Sequence, residues 1–140
     1  MKLNFGFGIF FRRIFNAFSR SGKGKKYYPF SKARNEYEPY AIVVPLEDEE
    51  YYPKYYEFFA KNGYEGHGFC WEGHIIQILE TVDDELLSHI DFDPEPGCFY
   101  AHADSKNSQV RFMEILAPIF SNLNKLEEWV KKADRERIDD

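Results

Sequence analysis

Between Tyr40 and Leu46 the side chains of Tyr40, Ile42, Val44 and Leu46 alternate with Ala41, Val43 and Pro45, the period-two pattern of a strand. The acidic run Glu47–Glu50 follows as a turn. Pro53 then suits the first turn of a helix, where its missing N–H has no intrahelical partner to lose. Tyr52, Tyr55, Tyr56 and Phe59 make the apolar stripe of that helix, and Asn62-Gly63 stops it, because both residues tolerate the left-handed conformation of a helix end. Tyr64–Trp71, with Gly66 and Gly68, reads as a glycine-rich loop. A second helix follows, with Ile75, Ile76, Leu79 and Val82 on one side.

Thr81 with Asp84 three residues on resembles a capping box for a short helix through Leu86, Leu87 and Ile90. Asp91–Pro96, with two prolines, predicts a turn held by side-chain-to-backbone bonds. Cys98–Ala103 alternates as a second strand, and Phe92 extends its pairing into a hairpin. Val110, Met113, Ala117 and Phe120 mark a helix that is also apolar at Phe112, Ile115 and Ile119, a face wide enough for central burial. Leu123, Leu126, Trp129, Val130 and Ala133 mark the last helix, with Asn124 and Glu127 as its start signal. The charged tail Arg135–Asp140 is expected to fray. Together these elements predict one α+β domain, a small antiparallel sheet packed with about five helices.

Residues 1–35 follow a different pattern. Phe10, Phe11, Ile14, Phe15 and Phe18 fall on one face of a helix, and Arg12, Arg13, Asn16 and Arg20 on the other. Ser21-Gly22-Lys23-Gly24-Lys25-Lys26 reads as a flexible basic linker. A basic amphipathic helix fits a membrane surface, a partner groove or the chain's own domain, and the pattern leaves these open.

Charge sharpens the division. Residues 1–35 carry nine Lys/Arg and no Asp/Glu; residues 36–140 carry nine Lys/Arg against 24 Asp/Glu, a net −15. The expected organisation is therefore a basic, Phe-rich extension over 1–35 and an acidic domain over 36–140. An acidic domain repels nucleic acid and attracts basic partners. Aromatic residues make up 19% of the chain, so the core is expected to rest on Phe and Tyr. Two cysteines make no disulfide framework. No run reaches the ~18 apolar residues of a membrane span, and the apolar stretch Phe5–Phe11 is cut by Arg12-Arg13 with no small-residue cleavage site after it. A cytoplasmic location is expected.

Chemistry is sparse. His67, Cys70 and His74 cluster in sequence, and Cys98 and His102 are spaced i, i+4, but no CxxC or HExxH accompanies them. On a strand, Cys98 and His102 lie ~13 Å apart at ~3.3 Å rise, too far for one ion. Asp91, Asp93 and Glu95 alternate, which on a straight strand would gather three carboxylates on one face; Pro94 and Pro96 argue against a straight strand. Gly63-Tyr64-Glu65-Gly66-His67-Gly68 lacks the order of a phosphate loop, and Glu65 and Glu72 would repel phosphate. No serine sits in a nucleophile elbow, and Cys70 with His67 or His74 is the one thiol–imidazole pairing to weigh. No catalytic residue, cofactor or metal site is expected.

The string Asn62-Gly63-Tyr64-Glu65-Gly66-His67-Gly68, then Trp71-Glu72, resembles the immunity protein 51 family of bacterial polymorphic toxin systems. Asp93-Pro94-Glu95, then Gly97 and Phe99-Tyr100-Ala101, is similar to a second signature of that family. The resemblance covers about residues 38–130, with His67 standing at an Asn position and Cys98 at a Met position. It implies a non-catalytic α+β protein that binds a cognate toxin domain. On that reading Glu47, Asp48, Glu49 and Glu50 form an electrostatic steering patch, with Tyr64, Glu65 and His67 as loop contacts. Gly63, Gly66, Gly68, Trp71, Asp93 and Glu95 belong to the motifs as structural residues. A charge of −15 suits a basic cleft such as a nuclease's. The rival reading is a membrane-surface or nucleic-acid adaptor acting through residues 1–35.

Overall fold

A computed structural model describes residues 26–140. The chain enters its sheet earlier than the charge division predicts. Ser31–Ala33 forms β1 and Ala41–Pro45 forms β2; after α1 (Lys54–Lys61), α2 (Gly68–Val82) and a 3-10 turn (Asp84–His89) come β3 (Ile90–Phe92) and β4 (Cys98–Ala103). Helices α3 (Lys106–Phe120) and α4 (Leu123–Lys132) and a 3-10 turn at Arg135–Arg137 close the chain. The fold is α+β. The four strands are antiparallel in the order β1-β2-β4-β3. Residues 30–33, assigned by charge to the extension, are part of this fold: Phe30 is buried and packs edge-on to Trp71, Phe99, Phe112 and Phe120. The helix expected within residues 10–20 lies outside the described residues.

Strand register sorts side chains onto two faces, because directly opposed residues point the same way. Ile42 opposes Ala101 and Val44 opposes Phe99, on an inner face. There Phe99 stacks on Phe112 of α3 and Trp71 of α2 tilts against Phe99. Trp71 also contacts Tyr55, Phe59 and Phe120, so it joins α1, α2, α3 and the sheet. The aromatic core expected from composition is therefore built around one indole, whose truncation to Ala would cost about 3–5 kcal/mol. The outer face carries Ala33, Ala41, Val43, Cys98, Tyr100 and His102.

Helix α1 ends as its sequence predicts. Gly63 has φ +88°, its N–H donates to the Ala60 carbonyl, and the Tyr64 N–H donates to the Phe59 carbonyl. This is a Schellman motif, completed by the Tyr64 ring edge-on to Phe59. The stripe differs in one place: Tyr52 is 53% exposed, and its neighbour Tyr51 takes the buried position.

Four boundaries depart from expectation, each for a local reason. The glycine-rich loop is shorter than Tyr64–Trp71, because α2 begins at Gly68. His67 is its N-cap, with Nδ1 accepting from the Cys70 N–H at 3.4 Å. Thr81 caps nothing; it lies in the last turn of α2 and its hydroxyl donates to the Gln77 carbonyl, and Ile90 belongs to β3. Helix α4 is capped by Asn122, whose side chain accepts from the N–H groups of Asn124 and Lys125. The tail is held rather than frayed. Ile138 is 8% exposed, Arg135 donates to the Gly63 carbonyl at 2.5 Å, Arg137 pairs with Glu80 at 2.6 Å, and Asp140 accepts from the Glu65 N–H at 2.9 Å.

The pairing of β3 with β4 continues past Pro94 to an isolated bridge at Glu95, and Pro96-Gly97 makes the turn. Asp91 opposes His102, the Asp93 N–H donates to the Tyr100 carbonyl, and Glu95 and Cys98 exchange both backbone bonds. The odd positions use the ladder, so the missing N–H of Pro94 faces away from it, at a sheet edge where proline is tolerated. The turn is closed by backbone pairing, not by the expected side-chain bonds.

Gly68 fixes α2 against this hairpin. Its N–H donates to the Pro96 carbonyl at 3.1 Å, and a Cβ at this position would overlap the carbonyl oxygens of Glu95 and Cys98. The obstructing atoms are backbone and cannot rotate aside. Gly68→Ala is expected to destabilise the protein by about 3 kcal/mol, at the upper end of overpacking costs, measured by chemical denaturation.

Candidate functional site

Three chain segments meet at the end of the sheet where β2 finishes and β4 begins. The first is the acidic turn 47–50. The Asp48 N–H donates to the Pro45 carbonyl at 3.0 Å, and the Asp48 carbonyl accepts from Tyr51 and Tyr52, so the turn is tight. Glu47 and Glu49 are exposed, while Asp48 and Glu50 are half-buried. The second is the turn 93–97. The Leu46 N–H donates to the Gly97 carbonyl, and a Cβ on Gly97 would lie 3.0 Å from the Glu47 carboxylate. The third is the loop 63–67, tied to the second through Gly68.

The two glycine motifs are thus one structure. Gly66, at φ +84°, passes so close to Phe59 that a Cβ would stand 2.9 Å from the Phe59 Cβ. This tight path delivers Gly68 onto the hairpin backbone. Trp71 is fully buried and acts inside the core. Tyr64 is 7% exposed, edge-on to the His74 ring and under the Arg135 guanidinium at 4.2 Å. Its place is to support the loop from beneath. Glu65 is exposed, and half-buried His67 stands 3.9 Å from it.

The site's electrostatics are set by carboxylates left without cations. Glu47, Glu49, Asp93 and Glu95 form no salt bridge among the described residues. Burial raises the Glu95 pKa, and the charge of Asp93 adds to the rise. Burial likewise raises Glu72, with Asp139 and Asp93 adding to it. Burial pushes the Cys98 thiol up, reinforced by Glu95, Asp48 and Glu47. Mutual effects of this kind require these acids to share one neighbourhood. Elsewhere the acids are paired. Arg111 holds Asp83 at 2.5 Å and Glu85 at 3.5 Å, and His89 lies between Asp104 at 2.6 Å and Glu85 at 2.9 Å, with its pKa raised by those bonds. His102 lies 3.4 Å from both Glu38 and Asp91.

Glu72 and Asp139 join this rim without having been singled out as site residues in the sequence. Glu72 lay just past the stretch that read as loop, and its one-turn offset from Gly68 emerges only once α2 is known to start there. Asp139 lay in a tail that looked free.

The thiol and imidazoles are placed away from chemistry. Burial raises the Cys70 pKa, which disfavours the thiolate a nucleophile needs. His67 spends its Nδ1 on the helix cap. Burial lowers the His74 pKa to about 4, and its Nε2 has no hydrogen-bond partner among the described residues. Among the described residues no three His, Cys, Asp or Glu side chains gather around a common point. No described helix is long and apolar enough to cross a membrane.

The scaffold thus presents a carboxylate-rich rim in which Glu47, Glu49, Asp93 and Glu95 form no salt bridge among the described residues. The family model for immunity protein 51 matches residues 34–135, and the chain belongs to that family. Membership implies neutralisation of a cognate toxin of a polymorphic toxin system. The match extends beyond both ends of the segment that the motifs alone delimit. No curated protein and no solved structure matches the chain.

His74 gives the site's scaffold a pH signature. Its folded-state pKa of about 4 lies below the ordinary histidine value of 6.5. Between those values the unfolded chain binds a proton that the folded chain does not, so stability rises with pH. Acidification from pH 7 to 4 is expected to remove up to about 3 kcal/mol through this group alone. Denaturant titrations of His74→Phe should show a correspondingly shallower loss; an unchanged slope would mean that other groups govern acid stability.

Proposed function

We propose that the protein neutralises its toxin in the cytoplasm by occlusion, presenting the rim of Glu47, Asp48, Glu49, Glu65, Asp93 and Glu95 to a basic cleft, with His67 at its border. The observation that carries this reading is the segregation of charge. Glu47, Glu49, Asp93 and Glu95 have no salt-bridge partner among the described residues, whereas the acids at the opposite end are held by Arg111, His89 and His102. Packing like charges together costs stability, and a basic partner offsets that cost on binding. Exposed Tyr52, edge-on to Tyr56 beside the acidic turn, supplies an aromatic contact of the sort that anchors interfaces. A nuclease is the toxin class with the most fitting surface, since its cleft must attract phosphate. Occlusion needs affinity and no bond chemistry, in keeping with a buried, protonated Cys70.

The rim's charge should act first on the rate of encounter. Replacing Glu47, Glu49, Asp93 and Glu95 together by Gln or Asn is expected to slow association with the cognate toxin by at least about tenfold at low ionic strength. The difference should shrink toward zero near 1 M salt, where the screening length is ~3 Å. Stopped-flow association measures this. An equal loss per charge removed on neutralising Glu114 and Glu128, which lie on α3 and α4, would show that only net charge matters and would remove the rim from the account.

A further inference from the structure

Strand β3 is an edge of the sheet, and among the described residues it pairs with β4 alone. Successive residues of a strand send their N–H and C=O groups to opposite sides in the plane of the sheet. The ladder to β4 uses the odd positions. Asp104 donates to the His89 carbonyl, Asp91 stands opposite His102, Asp93 donates to the Tyr100 carbonyl, and Glu95 exchanges both bonds with Cys98. The even positions therefore point away from the sheet. The Ile90 N–H is spent on the Leu87 carbonyl, and Pro94 has no N–H. That leaves the Phe92 N–H and the carbonyls of Ile90, Phe92 and Pro94 facing outward, along about 14 Å of edge at ~3.4 Å per residue.

The side chains of this edge sort as strictly. Ile90 and Phe92 lie on the inner face, half-buried, with the Phe92 ring against Phe99 and Phe112. Asp91 and Asp93 lie on the outer face and are exposed. Asp91 stands 3.4 Å from the His102 imidazole yet keeps 80% of its side chain in solvent. The edge is continuous with the rim through Asp93 and the bridge at Glu95.

We propose that this edge takes an extended segment of the toxin as a fifth strand, with Lys or Arg at two positions i and i+2 and an apolar residue between them. The proposal rests on the reading of the rim as the toxin-binding surface, and it names how the partner is held. A strand laid beside β3 sets two of its residues opposite Asp91 and Asp93 on the outer face, where opposite charges stabilise the pair. The residue between them stands beside Phe92 and extends the apolar inner face. Main-chain bonds to Phe92, Ile90 and Pro94 then supply affinity, and the flanking carboxylates supply selectivity.

The same geometry turns away a second copy of the chain. Two β3 strands related by a two-fold axis at Phe92 would set Asp91 of one copy opposite Asp93 of the other, like charge against like. They would also set the Ile90 carbonyl against Pro94, which has nothing to donate. Acids and a proline on an edge are the usual guards against self-pairing. Here they close the edge to its own kind and leave it open to a basic strand.

Amide hydrogen exchange followed by NMR on the isotope-labelled full chain tests this, alone and saturated with its cognate toxin in a catalytically disabled form. In the free chain the Phe92 amide is expected to exchange at least about tenfold faster than the Asp93 amide, which is in the ladder, and to slow at least about thirtyfold in the complex. Asp91→Lys, at a position outside the rim, should weaken binding at least about fivefold at low salt. Toxin that binds and slows the rim amides, while Phe92 exchanges as in the free chain, would overturn the edge proposal and leave the rim reading standing. So would an affinity untouched by Asp91→Lys. Toxin that does not bind at all would overturn both readings. A Phe92 amide already slow in the free chain would mean that another strand occupies the edge, and would overturn the proposal as well.

Discussion

The contact of Gly68 with the hairpin turn sets the position of everything at the candidate site. A helix N-terminus touches the backbone of a β-turn there, with the Pro96 carbonyl accepting the Gly68 N–H and no room for a Cβ between them. Because α2 is pinned at this point, Trp71 one turn on is aimed into the core, and the loop 63–67 is drawn across Phe59. Because the hairpin is pinned, Gly97 lies against Glu47 and the acidic turn is held beside it. The two sequence signatures, separated by some twenty residues of chain, are the two halves of a single joint.

That joint explains why the rim can hold so many like charges. A flexible loop would relieve repulsion by moving apart. Here the turns are locked by backbone bonds, by the Schellman end of α1 and by a C-terminal tail whose Arg135 and Asp140 clamp the loop from the far side. The carboxylates therefore stay close and keep their field directed outward. Pre-organised charge of this kind favours fast, salt-sensitive association.

Much of the fold was legible because it depends on local pattern. The period-two run at residues 40–46, the Asn62-Gly63 stop and the broad apolar face around Phe112 and Phe120 were readable directly. What was not legible depended on tertiary contacts. Gly68 looked like a loop residue because glycine is a poor helix former, whereas here it is the residue that lets two backbones meet. Pro94 looked like a strand breaker because the sequence does not say which N–H groups face the ladder, whereas Pro96 does lie in the turn. Ser31–Ala33 is too short and too plain to announce a strand; only pairing with β2 and the burial of Phe30 reveal it. The tail looked soluble by composition, and one Ile138 packed by Gly73 anchors it. Of the site residues, the exposed acids were readable from charge, while the inward placement of Tyr64 and Trp71 was not.

The central claim is that a partner meets this protein at the rim formed by residues 46–50, 63–68 and 93–98. Hydrogen exchange of the full chain, alone and saturated with its cognate toxin, tests it most directly. The account predicts slowed exchange in those three segments together, with α3 and α4 unchanged. Protection confined to the helical side, with the three turns exchanging as before, would contradict it.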